Sequence, residues 1–236
     1  MRKLSHIVEP TSLLLSWQEP VTRNRYIVGE VSHAGDSFCF RYLPGPDLEE
    51  AKEHGFKGYL AFKHFDEEYR LGVMESFMSR LPARSREDFD KFLAYWHIAS
   101  NLKASISDFS LLGYTGASLP RDGFRFMPVF PGMEAVEFIV EIAGHRYHEN
   151  GCEIGEEVRF VAEPDNPHDP KAVTAVSADG CKLGYVMHGL NNQFGEWLDS
   201  GLLRGEIVRV NGTADRPVVL VYVEYEQHVG QLNRVG

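Results

Sequence analysis

The chain has few cysteines and no long apolar run, and both shortages limit the class of protein it can be. Its 236 residues include three cysteines, Cys39, Cys152 and Cys181, with no C-x-x-C pair. This excludes a disulfide framework, favours a reducing compartment and predicts small buried cysteines. No stretch approaches the roughly 18–20 apolar residues of a membrane helix, and the first residues lack a signal-peptide core. A cytoplasmic location without membrane contact is predicted.

Sequence motifs of familiar enzyme classes are also missing. There is no G-x-x-x-x-G-K-[ST] phosphate loop, no G-x-G-x-x-G, no H-E-x-x-H and no G-x-S-x-G. A non-catalytic protein without a cofactor is therefore favoured. A metal-dependent hydrolase acting on nucleic acid or acid anhydrides is an alternative, because potential zinc ligands recur in the second half. These ligands are His145, His148, Cys152, His168, Cys181 and His188. Their spacing matches no known ligand set.

The composition that is present is that of a globular protein with uneven charge. Hydrophobic residues make up 43% and charged residues 25%, and the length fits two domains. Residues 1–133 hold 16 Lys and Arg against 17 Asp and Glu, whereas residues 134–236 hold 8 against 17. The acidic second half repels polyanions at long range, so any contact with nucleic acid must be local.

Residues 1–131 are predicted to form an α+β domain. The expected strands are Ser12–Trp17, Arg25–Val31, Ser37–Tyr42 and Phe124–Phe130. Apolar residues at helical spacing from Phe89 to Trp96 predict an amphipathic helix, preceded by a capping box of Ser85 and Asp88. A second, shorter helical pattern covers residues 107–112, and Pro131-Gly132 ends the domain.

Residues 134–228 are predicted to form a six-stranded small β-barrel. The expected strands are Val136–Ile142, Glu157–Ala162, Lys171–Val176, Lys182–Val186, Glu206–Asn211 and Pro217–Tyr225. Asp179-Gly180 suits the turn of a hairpin. A helical stripe of Leu190, Phe194, Trp197 and Leu198 ends at Gly201. Many short strands with one helix favour a barrel closed on itself.

Three segments of this second half carry a resemblance to a known family. They are Gly144-His-Arg-Tyr147, Glu163-Pro-Asp-Asn-Pro-His-Asp-Pro-Lys-Ala-Val173 and Leu183-Gly-Tyr-Val186. Their order resembles that of the HIRAN domain, over about residues 135–227. The resemblance implies a six-stranded barrel related to the oligonucleotide-binding fold. It also implies recognition of single-stranded DNA ends in repair or replication, with a helicase, nuclease or other repair protein as partner.

The resemblance implies a role for each matching residue. Arg146 is expected to contact a phosphate, Tyr147 to stack on a base, and Asp169 to accept a hydrogen bond from a terminal 3′-hydroxyl. Asn166 and the neighbouring prolines are expected to hold the loop. The other implied nucleic-acid contacts are His168, Tyr185, His188 and either Tyr222 or Tyr225. His168 replaces a tyrosine common in the family, and His188 replaces a lysine.

The N-terminal half is similar to the segment that precedes HIRAN domains in bacterial proteins. That segment resembles the N-terminal subdomain of HipA-like kinases, but no kinase catalytic loop is present here. Arg80, Arg84 and Arg86 form a compact basic group, interpreted either as a contact to a nucleic-acid backbone or as a solvated helix end. A protein-interaction or toxin–antitoxin-type regulatory module without DNA binding is the other alternative function.

Overall fold

A computed structural model describes residues 2–35, 37–119, 121–132, 135–145, 152–213 and 216–227. The chain divides into two compact units. The N-terminal unit comprises Lys3–Pro131 with His188–Leu190, and the barrel unit comprises Gly132–Met187 and Asn191–Gly236 with Met1–Arg2. No helix in the described ranges is long and apolar enough to cross a membrane.

The N-terminal unit is built on one antiparallel sheet of five strands. The strands are β1 Ser12–Gln18, β2 Arg25–Ala34, β3 Ser37–Tyr42, β4 Glu68–Tyr69 and β5 Phe124–Val129. Their order in the sheet is β4-β3-β2-β1-β5. Large aromatic side chains fill its core, with Phe40 and Phe77 both fully buried and their ring centroids 5.9 Å apart. The α+β class predicted for this region is confirmed.

Short helices complete the N-terminal unit. They are α1 Pro46–Glu53, α2 Val73–Met78, α3 Phe89–Tyr95 and α4 Asp108–Thr115, with a 3₁₀ turn at Ser100–Leu102. Ser107 caps α4 by accepting a hydrogen bond from the Ser110 amide at 2.9 Å. The predicted capping box before α3 is wrong, because the Asp88 carboxylate makes no cap and binds Arg86 at 2.7 Å.

Six antiparallel strands form a closed barrel in the second unit. They are β6 Val136–Ala143, β7 Glu157–Ala162, β8 Val173–Ser177, β9 Lys182–Val186, β10 Gly201–Thr213 and β11 Arg216–Gln227. Their order around the barrel is β10-β11-β6-β9-β8-β7, with β10 and β7 also paired. The predicted six-stranded barrel is therefore confirmed. β8 begins two residues later than predicted, because the amides of Lys171 and Ala172 bond to Asp169 instead of to a strand.

Helix α5, Asn191–Ser200, supplies aromatic side chains to the barrel core. Phe194 and Trp197 are buried, and Trp197 stacks on Tyr225 with ring centroids 4.9 Å apart. The predicted end of the helical stripe at Gly201 is confirmed, because α5 stops at Ser200. Gly201 starts β10, and a Cβ at this position would overlap the Tyr225 ring. The helix therefore passes directly into a strand at a site where only glycine fits.

Candidate nucleic-acid interface

The loop between β7 and β8 is folded by its own polar side chains. Asn166 Oδ1 accepts hydrogen bonds from the backbone amides of His168 and Asp169, at 3.0 and 3.2 Å. The side-chain Nδ2 of Asn166 also donates hydrogen bonds to the Glu163 carboxylate and to the Tyr185 hydroxyl, both at 3.1 Å. Asn166 therefore fastens the loop to strand β9, which agrees with the loop-holding role predicted for it.

Tyr185 is fixed at its hydroxyl by three polar partners. The hydroxyl donates to Glu163 Oε2 at 3.0 Å and accepts from Lys182 Nζ at 2.6 Å as well as from Asn166. Lys182 also binds Glu163 Oε1 at 2.7 Å, and its ammonium lies 4.1 Å from the centre of the Tyr185 ring. Tyr185 is half-buried in this fixed position. Sequence reasoning missed Glu163 and Lys182 as members of this network.

Replacing Glu163 with glutamine is expected to destabilise the barrel at neutral pH and to have little effect in acid. The hydrogen bond from Lys182 lowers the pKa of the Glu163 carboxyl from its ordinary value of 4.5. A lowered pKa means that the ionised group stabilises the fold above about pH 4.5. That contribution is lost as the pH falls through the lowered pKa. Because both side chains are partly exposed, the loss at pH 7 should be about 1 kcal/mol or less.

Urea unfolding of the wild type and Glu163→Gln from pH 3 to pH 7 tests this expectation. The difference in unfolding free energy should grow with pH and level off above about pH 5.5. Glu153→Gln is the control, because Glu153 is exposed and its side chain makes no ion pair among those found in the described residues. A pH-independent difference would contradict the network as the source of the effect.

The Asp169 carboxylate is oriented by donors from two different elements. Oδ1 accepts from the Lys171 amide at 2.9 Å in its own loop, and Oδ2 accepts from the Asn191 side chain at 2.6 Å at the start of α5. Each of these bonds holds a different oxygen, so together they orient the carboxylate. Asp169 is half-buried. It is therefore partly accessible at the surface of the barrel unit.

A surface groove lies between this loop and helix α5. It has a volume of about 510 Å³, and the side chains of Pro164, Pro170 and Lys171 line one side while Asn191 and Asn192 line the other. Proline fixes φ and lowers the entropy lost when a loop is ordered, so one side of the groove is stiff. His168 is exposed in the same loop. The groove therefore presents the side chains of Asn191 and Asn192 next to the loop that carries His168 and Asp169.

Two predicted contacts lie outside the described residues, and a third has a protein partner. Arg146 and Tyr147 fall in the range 146–151, which is not described. His188 groups with the N-terminal unit, and its Nε2 lies 2.8 Å from Asp47 Oδ2. Burial raises the pKa of Asp47, but the hydrogen bonds from His188 and the Ile27 amide lower it overall. A phosphate at His188 must therefore displace an ionised carboxylate.

The late-strand tyrosines predicted as stacking residues are both buried. Tyr222 is 2% exposed, and burial raises the pKa of its phenol, as does neighbouring Glu137. Tyr225 is fully buried between Trp197 and Ser200, whose Oγ lies 2.8 Å from the phenol oxygen. Neither tyrosine presents a ring face to a base. Alternation along β11 did not show this, because both faces of the strand are covered in this stretch.

The potential zinc ligands do not come together as a metal-binding set in the part of the chain that is described. No group of three or more His, Cys, Asp or Glu side chains is placed to hold a metal within those residues, and His148 falls outside them. His145 instead bonds to the Leu183 carbonyl at 2.7 Å and lies 3.6 Å from Cys152 Sγ. The prediction of small buried cysteines is wrong, because Cys181 is exposed next to a turn and Cys39 and Cys152 are only half-buried.

The arginine group of the N-terminal unit is committed to acidic partners and carbonyls. Arg80 is buried and binds Asp122 with both terminal nitrogens. Arg84 binds Asp108 and two backbone carbonyls, and Arg86 binds Asp88. The three guanidinium groups therefore do not form a free basic patch, and structural roles account for them.

Comparison with known proteins finds similarity in the barrel unit. Residues 136–226 match the family model described as the HIRAN domain. No curated protein matches the chain. Among solved structures, the HIRAN domain of human HLTF is 18% identical, with 39% of this chain and 78% of that chain covered and a TM-score of 0.35. A structural-genomics protein from Lactobacillus plantarum is 20% identical, with 39% and 98% covered and a TM-score of 0.33. The family model, together with the closed six-stranded barrel, supports a HIRAN domain at residues 136–226.

Proposed function

We propose that the barrel unit binds the end of a single DNA strand and that Asp169 recognises a free 3′-hydroxyl. HIRAN domains are generally nucleic-acid-binding modules, and residues 136–226 match that family. The observation that carries the proposal is the Asp169 carboxylate, which is oriented by Lys171 and Asn191, two residues that line the surface groove. A carboxylate accepts a hydrogen bond from a hydroxyl but repels a phosphate in the same place. Such a group selects a strand end over an internal nucleotide.

The charge of the barrel also favours recognition of an end over coating of a strand. Residues 134–236 carry 8 basic against 17 acidic side chains. A strongly acidic unit gains little from the release of counterions along a phosphate backbone, which drives sequence-independent binding in basic proteins. Binding must then come from local contacts, and the proposed ones are Asp169, Asn166, His168 and Tyr185, together with Arg146 and Tyr147. The biological setting proposed is repair or replication, with a processing enzyme as partner.

Fluorescence anisotropy with matched oligonucleotides tests the proposal. The wild type should bind a strand with a 3′-hydroxyl about tenfold more tightly than the same strand with a 3′-phosphate, since one hydrogen bond to a charged group contributes about 1.5 kcal/mol. Asp169→Ala should reduce the ratio of the two dissociation constants to about one. Asp165→Ala is the matched control, because Asp165 is exposed in the same loop.

Two results would count against the proposal. Equal affinity of the wild type for both strand ends would remove the role of the hydroxyl. A preserved tenfold ratio in Asp169→Ala would move the recognition to another residue. A loss of all binding in Asp165→Ala would show that the loop tolerates no change. In that case Asp169→Asn, which keeps the side-chain volume, replaces Asp169→Ala. Its thermal stability and its ratio of the two dissociation constants would then decide.

A further inference from the structure

Asn191 is a buried polar residue whose side chain is used at the edge of the candidate interface. It is the first residue of α5 and is 5% exposed. Its Nδ2 donates to Asp169 Oδ2 at 2.6 Å, while its Oδ1 accepts from the Asn192 amide at 3.1 Å. The second bond fixes which way the amide faces, so that its NH₂ group is directed at the carboxylate. A buried amide with this geometry exerts a strong orienting effect on its acceptor.

We propose that Asn191 is a positioning residue that sets the Asp169 carboxylate for recognition of the strand end. This inference rests on the proposed function. The Lys171 amide holds Oδ1 from within the loop, and Asn191 holds Oδ2 from the helix. With both oxygens held from different elements, the carboxylate cannot rotate about χ2 without losing one donor. Without Asn191, Oδ2 loses the donor that the helix supplies, and the carboxylate is held less firmly in this orientation.

The chemistry of an amide explains why this donor suits the task. A lysine or arginine in this place would orient the carboxylate equally well but would also neutralise it. A neutralised Asp169 would repel a 3′-phosphate much less, and the discrimination between strand ends would fall. The amide of Asn191 donates a hydrogen bond and carries no charge, so this contact orients Asp169 without neutralising it. Asn191 thus serves the selectivity of the site as well as its geometry.

The test compares Asn191→Ala with Asn192→Ala in the full chain, using strands that end in a 3′-hydroxyl or a 3′-phosphate. Asn192 is exposed at the next position of the same helix and lines the same groove, which makes it a matched control. Asn191→Ala should lower the ratio of dissociation constants from about tenfold to about threefold or less. Asn192→Ala should keep the ratio of the wild type. A residue that only stabilises the helix would weaken binding of both strands by the same factor and leave the ratio unchanged.

The outcomes separate this inference from the proposed function. A wild-type ratio near one overturns both. A tenfold ratio in the wild type that persists in Asn191→Ala overturns the role of Asn191 alone. If Asn191→Ala does not fold, a crystal structure of the wild type with a 3′-hydroxyl strand decides. Asp169 in contact with both Asn191 and the terminal oxygen supports the inference, whereas Asn191 bonded to the strand itself, or an Asp169 turned away from it, overturns it.

Discussion

Replacing Gly184 with alanine is expected to lower the unfolding free energy of the barrel unit by about 3 kcal/mol or more. Gly184 lies in the centre of β9 with φ at +140°, a conformation that side-chain-bearing residues rarely adopt. A Cβ there would overlap the Ala143 carbonyl oxygen and approach Ile142 Cγ2 to 2.8 Å. Both neighbours belong to β6, which pairs with β9. The substitution therefore combines backbone strain with overpacking at a strand pair that closes the barrel.

Urea unfolding measures this effect, with Trp197 as the reporter of the barrel in a background where Trp17 and Trp96 are phenylalanine. Gly195→Ala is the control, because Gly195 lies within α5 and a Cβ there has nothing within 4 Å. That substitution should be neutral or stabilising by up to about 1 kcal/mol, since alanine favours helix more than glycine. An unfolding free energy of Gly184→Ala within about 1 kcal/mol of its parent would refute the packing argument.

Gly184, in the Leu183-Gly-Tyr-Val186 motif, shows which part of the fold can be predicted from the sequence. The strands of the barrel followed from alternation and turn residues, and β7 and β9 have the predicted bounds. The pairing of β9 with β6 joins segments about 40 residues apart, and no local pattern specifies it. The need for Gly184 arises from that pairing, so the sequence could mark the glycine only by family resemblance.

Short helices of the N-terminal unit were missed for a related reason. α1 begins at Pro46, the last residue of Pro44-Gly45-Pro46, a stretch that by itself indicates the end of a strand and no helix. Proline is well suited to the first turn of a helix, so the same residues can end a strand and start a helix. α2 has six residues, too few for a 3.6-residue period to be recognised. Proline and glycine therefore predicted where a strand ends in this unit, but they did not predict that a helix follows.

The loop residues of the candidate site could be predicted from the sequence, whereas the residues from other elements that bind them could not. Asn166 and Asp169 stand in a motif and therefore drew attention, and the structure connects each of them to a neighbouring element. Asn191 is part of no motif, and its bond to Asp169 spans 22 residues. Tyr222 has a suitable residue type for stacking but is buried. Residue type and order predict candidate chemistry, whereas burial and second partners depend on tertiary packing.

Replacing Arg80 with alanine is expected to lower the unfolding free energy of the N-terminal unit by about 3–5 kcal/mol. The Arg80 side chain is 1% exposed, and its terminal nitrogens bind Asp122 at 2.5 and 3.1 Å. It also donates to the carbonyls of Ala117 and Phe124, at 2.9 and 3.2 Å. Truncation leaves these acceptors without their donor in a partly buried place, which costs more than the loss of an exposed ion pair.

Hydrogen exchange of the N-terminal unit, measured by mass spectrometry, would detect this loss in Arg80→Ala as faster exchange throughout the unit. Arg80→Lys should fall between alanine and the wild type, because an ammonium keeps the charge but cannot form the two-pronged contact to Asp122 and reach both carbonyls. Arg86→Ala is the matched control, since Arg86 pairs with Asp88 in solvent and should leave exchange unchanged. Equal exchange rates in Arg80→Ala and Arg86→Ala would contradict the structural role of Arg80. The interpretation of the arginine group as a contact to a nucleic-acid backbone would then be favoured again.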